Sequence, residues 1–196
     1  MNLPLLLFAL LTQSHVVDKQ IGQVGGRPVY ESEVKGASEQ EREQSLRALF
    51  VAPAMKSYMD PYKSQWELTD QDIEALVHAY RESLKCKPDA PKPNLPDFDR
   101  FFAKFLGTNL KIQRFIYMQN GHGRILFQQA GPEAFDATRN LLLKLEKEGS
   151  FAINDPTLRE KTLKYWLNDH QSGLFEDPGP DKAFALDQAF AKCPRG

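Results

Sequence analysis

Histidines are the first residues of this chain to consider for chemistry, because imidazole can act as a base or a metal ligand near neutral pH. They occur at four positions, namely His15, His78, His122 and His170. None of them forms the His-Glu-x-x-His arrangement that places two ligands and a base on one helical face. His122 lies between two glycines in a predicted loop, where it is either functional or simply solvated. No catalytic residue and no metal site is predicted.

The two cysteines, Cys86 and Cys193, leave two interpretations open. In an oxidising compartment they could form a disulfide that joins the middle of the chain to its tail. Alternatively they are separate thiols. Neither has a second cysteine or a histidine at ligand spacing, so their positions do not indicate a zinc site.

Common cofactor and nucleophile motifs are absent from the sequence. There is no Gly-x-Ser-x-Gly elbow, no Walker loop and no dinucleotide fingerprint. Carboxylate pairs such as Glu31/Glu33 and Asp70/Asp72 stand where helices are predicted to begin, and negative charge is favourable there. The residues therefore predict no cofactor, and they favour a binding protein over an enzyme.

Composition limits the class of partner. The 25 basic and 26 acidic residues give a formal net charge of -1, which lacks the basic excess of nucleic-acid-binding proteins. A chain of 196 residues suffices for one domain, or for one domain with a small appended lobe. We therefore expect no nucleic-acid partner, and the absence of catalytic motifs favours a protein partner.

The N-terminus differs from the rest of the chain. Residues 3–11 are almost wholly apolar, and the first charged side chain is Asp18. This run is too short to span a bilayer but suits the core of a signal peptide, with Thr12 and Ser14 small enough to precede a cleavage site. We expect a signal peptide over residues 1–14, a mature start near His15 and a periplasmic or secreted protein with no integral membrane segment. The alternative is a buried N-terminal helix.

The hydrophobic pattern predicts a mainly α fold with a short N-terminal β-hairpin. Apolar residues on both sides of Gly25 and Gly26 indicate two strands joined by a tight turn. Pro28 makes the second strand an edge strand or a brief one.

Several start signals predict the helices that follow. Ser32 or Ser38 is the N-cap of the first, and Ser38 has Glu41 three residues later as a capping box. We expect this helix to be interrupted or kinked at Pro53. Thr69 precedes an amphipathic helix that ends near Cys86.

Four prolines in residues 87–96 predict an extended linker between a region 15–86 and a helical region 97–196. Asp97 is a candidate cap for the next helix. Residues 124–129 are ambiguous between a strand and a helical turn. Gly131-Pro132 and Asp155-Pro156 each predict a helix with proline at its first position.

A cluster of aromatic residues opens the second half of the chain. It consists of Phe98, Phe101, Phe102 and Phe105. Their spacing places them on one broad helical face, which is either part of the core or an exposed groove that accepts apolar segments of a client protein.

Two segments of the first half resemble the start of SurA-type periplasmic chaperones. They are GQVGGRPVYESEV at residues 22–34 and WELTDQDI at residues 66–73. In that family a strand, a turn, a second strand and a helix follow the signal peptide. The resemblance covers residues 20–86 and implies a SurA-like N-terminal domain that binds other proteins.

Two further segments are similar to the opening of a parvulin prolyl-isomerase domain. They are RILF at residues 124–127 and LEKEGSF at residues 145–151. Where that family has a histidine, this chain has Arg124, and the remaining residues lack the family's glycine-rich stretch and its closing histidine strand. The resemblance therefore implies a binding module without the catalytic half.

Three functions remain open at this point. The first is an exported chaperone-like protein that binds apolar client segments through the four phenylalanines. The second is a residual peptidyl-prolyl isomerase, for which His122 is the nearby candidate. The third is a structural or assembly component with one fixed protein partner.

Overall fold

Helices dominate the architecture, together with two small antiparallel sheets. The structure, a computed structural model, describes residues 18–85, 97–128, 131–168, 175–176, 179–186 and 189–190. The helices are α1 (Glu39–Met59), α2 (Lys63–Trp66), α3 (Asp70–Lys85), α4 (Phe98–Gln119), α5 (Phe135–Lys147), α6 (Pro156–Leu167) and α7 (Pro180–Ala183). The strands are β1 (Gln20–Val24), β2 (Arg27–Tyr30), β3 (Ile125–Gln128), β4 (Gly131–Glu133), β5 (Phe151–Ile153) and β6 (Phe175–Glu176).

The predicted mainly α class with an antiparallel sheet at the N-terminus is confirmed. The likeness to the SurA N-terminal domain stays a prediction. The expected signal peptide, the expected linker at 87–96, and both Cys86 and Cys193 lie outside the described residues.

The N-terminal hairpin forms at the predicted turn. Val24 pairs with Arg27 across a two-residue loop, in which Gly25 and Gly26 have φ values of 54° and 76°. A turn with both central residues in the left-handed region matches the twist of the flanking strands. Strand β2 lies at the edge of the sheet in the order β2-β1-β5, as Pro28 predicts.

Strand β5 joins the second half of the chain to this hairpin. Gly22 of β1 pairs with Ile153, and a Cβ on Gly22 would stand only 2.2 Å from the carbonyl oxygen of Ala152. Glycine is therefore needed at this crossing. The main core draws buried residues from both halves, including Ile21, Phe50, Leu110, Leu141 and Phe151.

The capping predictions account for three helix starts. Ser38 Oγ accepts the Glu41 backbone N–H at 3.2 Å, and Thr69 Oγ1 accepts that of Asp72 at 3.1 Å. The Asp155 carboxylate accepts the backbone N–H groups of the two residues after Pro156. Each side chain satisfies donors that the first turn of a helix leaves unpaired.

Helix α1 continues through Pro53, so of the two expected outcomes, an interruption or a kink, the interruption is wrong. Proline removes one backbone hydrogen bond from a helix interior. Around it, Phe50, Val51 and Ala54 are buried in the main core. Tertiary packing therefore holds α1 across a residue that would end an isolated helix.

Two other predicted helix starts differ from the structure. Asp97 precedes α4 but has a φ of 57° and makes no capping hydrogen bond, because an N-cap side chain normally acts from extended backbone. Gly131 and Pro132 begin strand β4, and α5 starts only at Phe135. Residues 125–128, which the sequence leaves ambiguous, form strand β3, and β3 pairs with β4 and β6. Pro132 is tolerated in β4 because β4 is an edge strand.

Candidate functional site

Helix α4 positions the four phenylalanines that the sequence singles out. Its inner side packs against α3, where Ala103 is fully buried and Gly107 lies against Leu76. A Cβ on Gly107 would stand 2.4 Å from Leu76 Cδ1, so the glycine permits a close approach of the two helices. This contact fixes the rotation of α4 and decides which aromatic side chains face outward.

Two of the four phenylalanines pack against other parts of the protein. Phe98 and Phe102 are half-buried, and their rings stack with centroids 5.7 Å apart. Phe102 also contacts Tyr80 of α3 at 5.2 Å and Phe190 at 6.1 Å. Offset aromatic contacts of this kind stabilise packing beyond the area that they bury. Phe98 and Phe102 therefore help to hold α4 on α3.

The other two phenylalanines face solvent. Phe101 is 68% exposed and Phe105 is 56% exposed, whereas the other phenylalanines in the described ranges are buried or half-buried. They flank a shallow depression of about 360 Å³. We call its lining the outer α4 face, which consists of Phe101, Lys104, Phe105, Thr108, Asn109 and Ile112.

Ion pairs also tie α4 to α3. The Arg100 guanidinium contacts the Glu74 carboxylate, and Lys111 Nζ lies 2.7 Å from Asp72 Oδ2. The hydrogen bond from Lys111 holds the pKa of Asp72 below its usual range, although partial burial opposes the shift. Since Asp72 also closes the capping box of α3, the start of α3 is linked to the middle of α4.

A second cleft of about 520 Å³ lies between the C-terminal half of α4 and residues 181–186. Arg114 Nη2 lies 2.8 Å from Asp181 Oδ1 across it, and Met118, 47% exposed, stands at its rim. Lys111 also lines this cleft. Both cations thus have carboxylate partners, and the cleft has a lining of mixed polarity that also includes Phe115, Phe184 and Leu186.

The described histidines are exposed. His78 lies on α3, and His122 lies in the turn after α4 with a φ of 56° and its ring stacked on Tyr117 at 4.8 Å. His15 and His170 lie outside the described residues. The glycines on both sides of His122 also have positive φ, a backbone that ends helices, and they form the loop after α4 that the sequence predicts.

Arg124, which replaces the histidine expected from the parvulin resemblance, takes part in a structural ion pair. Its Nε and Nη2 atoms donate to the Asp136 carboxylate at 2.9 and 3.0 Å, and its backbone N–H donates to the same group at 2.9 Å. The guanidinium also lies 4.6 Å from the centroid of the Phe175 ring. Bidentate pairing and ring stacking suit arginine, and they join β3, α5 and β6.

A polar network on the same sheet has a similar packing role. The Glu133 carboxylate accepts hydrogen bonds from the Tyr165 hydroxyl at 2.6 Å and from Trp166 Nε1 at 3.0 Å. Burial and the hydrogen bond to Glu133 raise the pKa of Tyr165, so the phenol keeps its proton and remains a donor. The contacts tie β4 to α6.

Within the described ranges, no three His, Cys, Asp or Glu side chains lie close enough together to hold a metal ion. Among the helices that the structure describes, none is both long enough and apolar enough to cross a membrane.

Sequence reasoning missed the polar residues of the outer α4 face, Lys104, Thr108 and Asn109. The charged one is Lys104. A signal was present, because the positions three and four residues away, Arg100, Phe101, Gly107 and Thr108, contain no carboxylate that could pair with it on the helix. Lys104 is thus an exposed cation next to the exposed rings of Phe101 and Phe105.

The chain was also compared with protein-family models, with curated proteins and with solved structures, and none of them matches it.

Proposed function

We propose that this protein is an exported, chaperone-like protein that binds apolar segments of other envelope or secreted proteins and catalyses no reaction. The observation that carries the proposal is the exposure of Phe101 and Phe105, side by side on the outer α4 face. Burying a phenylalanine side chain is worth about 1.5–3 kcal/mol. A contiguous exposed apolar surface commonly marks a binding site, and a client segment that covers both rings would gain this free energy.

The fold supports the same proposal. Phe98 and Phe102 anchor α4 on α3, together with the ion pairs of Arg100 and Lys111. The outer face is therefore presented by a helix that the neighbouring helix α3 holds in place. A rigid helix loses little conformational entropy when it binds, which favours affinity.

We expect replacement of both exposed phenylalanines to remove most of the binding. The probe is a fluorescein-labelled peptide with leucines at helical spacing, and its affinity is measured by fluorescence anisotropy. The double variant Phe101→Ser with Phe105→Ser should raise the Kd at least tenfold, because each ring contributes apolar area to the contact. The variant should also lose the ability to suppress aggregation of reduced insulin B chains, measured by light scattering.

A matched control is Leu143→Ser, which changes a 38% exposed apolar residue on α5. It should leave both measurements within about twofold of wild type, since it lies outside the outer α4 face. Equal binding by the wild type and the double phenylalanine variant contradicts the proposal. Recovery of one stoichiometric partner from an envelope extract, in place of a range of clients, would favour an assembly component.

Export is tested separately. The apolar run at residues 3–11 motivates it. We expect the protein expressed with its native N-terminus to accumulate outside the cytoplasm and to begin near His15 when its N-terminus is sequenced. Retention of Met1 on a cytoplasmic product would contradict export but would leave the binding proposal standing.

A further inference from the structure

We propose that the client segment held on the outer α4 face is an amphipathic helix that carries a carboxylate side chain beside its apolar residues. This inference rests on the proposed function and names the class of segment that the face selects. It follows from the charge pairing along α4, from the length of the face and from its backbone.

Lys104 is the basic residue of α4 for which the described part of the chain provides no ion-pair partner. The helix contains four basic residues, and three of them have carboxylate partners within the part of the chain that the structure describes. These three are Arg100 with Glu74 and Asp70, Lys111 with Asp72, and Arg114 with Asp181. Lys104 has no ion-pair partner among the described residues, and it is exposed between Phe101 and Phe105.

Carboxylates near the start of α4 are already engaged. Asp99, the acidic residue of this helix, lies 2.7 Å from Arg81 on α3. Asp70 and Glu74 contact Arg100 on the α3 side. Since these described neighbours are already paired, a carboxylate on the bound segment can pair with Lys104. When neighbouring rings exclude water, such a pair strengthens, because the local dielectric constant falls.

The shape of the face favours a helix over an extended strand. Phe101, Phe105, Thr108 and Ile112 follow one another at steps of four, three and four residues, so they form a ridge about 17 Å long, or three helical turns. The backbone N–H and C=O groups of α4 are used within the helix. An extended client would find no main-chain partners there, whereas a helical client satisfies its own backbone groups and needs only side-chain contacts.

A second copy of this chain fits the face less well. In a symmetric pair the same surface meets itself. Each copy would then bring its own Lys104 to the interface, and the outer α4 face provides no carboxylate to pair with it. The pair would bury two unneutralised cations beside apolar rings, and such desolvation is unfavourable. The charge pattern therefore points to a different, acidic partner.

The test uses the full chain and two fluorescein-labelled peptides. Both peptides carry leucines at helical spacing, and they differ at one flanking position, which is Glu in one peptide and Lys in the other. We expect wild type to bind the Glu peptide about three- to tenfold more tightly at low salt, with the difference shrinking at high salt. Lys104→Glu should reverse the preference. The Glu peptide should gain helical circular dichroism when it binds.

The matched control is Lys147→Glu, which makes the same charge change at an exposed lysine of α5 and should keep the wild-type preference. Equal affinity for both peptides in wild type and in Lys104→Glu would overturn the inference, as would binding without a gain in helicity. A dimer in sedimentation velocity that Phe105→Ser dissociates would also overturn it in favour of a second copy. Failure of the proposed function looks different, since wild type would then bind neither peptide.

Discussion

Phe50→Ala should lower the free energy of unfolding by about 4 kcal/mol, which makes it the most destabilising single substitution that we consider. The Phe50 side chain is fully buried in α1. Its ring packs on β1 so closely that a Cβ on Gly22 would stand 2.7 Å from Phe50 Cε1. Truncation to alanine removes this contact and leaves a cavity that the rigid surroundings fill only partly.

Urea unfolding followed by circular dichroism at pH 7 measures this loss. The control is Leu143→Ala, at a residue that is 38% exposed on α5, and we expect it to lower stability by under about 1 kcal/mol. The Phe50 variant should still unfold in one transition, since the main core includes residues from both halves of the chain. Equal losses in the two variants would contradict the packing of α1 on the N-terminal sheet.

Asp136→Asn should lower the free energy of unfolding by about 2 kcal/mol at pH 7 and should weaken the pH dependence of stability. Burial by itself raises the pKa of the Asp136 carboxyl, but the hydrogen bonds from Arg124 and the charges of Arg124 and Arg139 outweigh it and hold the pKa below its usual range. A carboxyl with a lowered folded-state pKa stabilises the protein above its unfolded-state pKa. That contribution is lost as the pH falls through the folded-state value.

The measurement compares unfolding free energies at pH 7 and at about pH 2.5 for wild type and variant, a range that extends below the ordinary pKa of an aspartate, where the loss begins. Wild type should lose more stability than Asp136→Asn between the two conditions, because the asparagine cannot titrate. Asp60→Asn is the matched control, since Asp60 forms an exposed ion pair with Lys56. It should change stability by under about 0.5 kcal/mol. An unchanged pH dependence in Asp136→Asn would show that this pair does not stabilise the fold.

Local features of this protein were determined by the sequence itself. Gly25-Gly26 selects the two-residue turn because glycine alone adopts its positive φ values without strain. Ser38, Thr69 and Asp155 start helices because each side chain accepts backbone N–H groups of the following turn. These interactions span at most four residues, so their energetics can be deduced from the sequence.

Long-range pairing was decided only by the tertiary structure. Strand β5 has three residues and pairs with β1 from more than a hundred positions away in the chain, through partners such as Gly22 and Ile153. Gly131-Pro132 carries a helix-start pattern but forms an edge strand, because pairing with β3 outweighs the local preference. A three-residue strand has too little periodicity to be found from its residues alone.

The candidate binding face likewise depends partly on the sequence and partly on the tertiary structure. Helical periodicity placed Phe98, Phe101, Phe102 and Phe105 on one broad side of a helix. It could not decide which pair faces solvent, because the two pairs lie on adjacent rows of the same helix. The approach of α3 at Gly107 and the contacts of Tyr80 set the rotation of α4, which left Phe101 and Phe105 exposed around Lys104. The aromatic residues and the cation belong to the sequence, but their exposure on one surface results from helix packing.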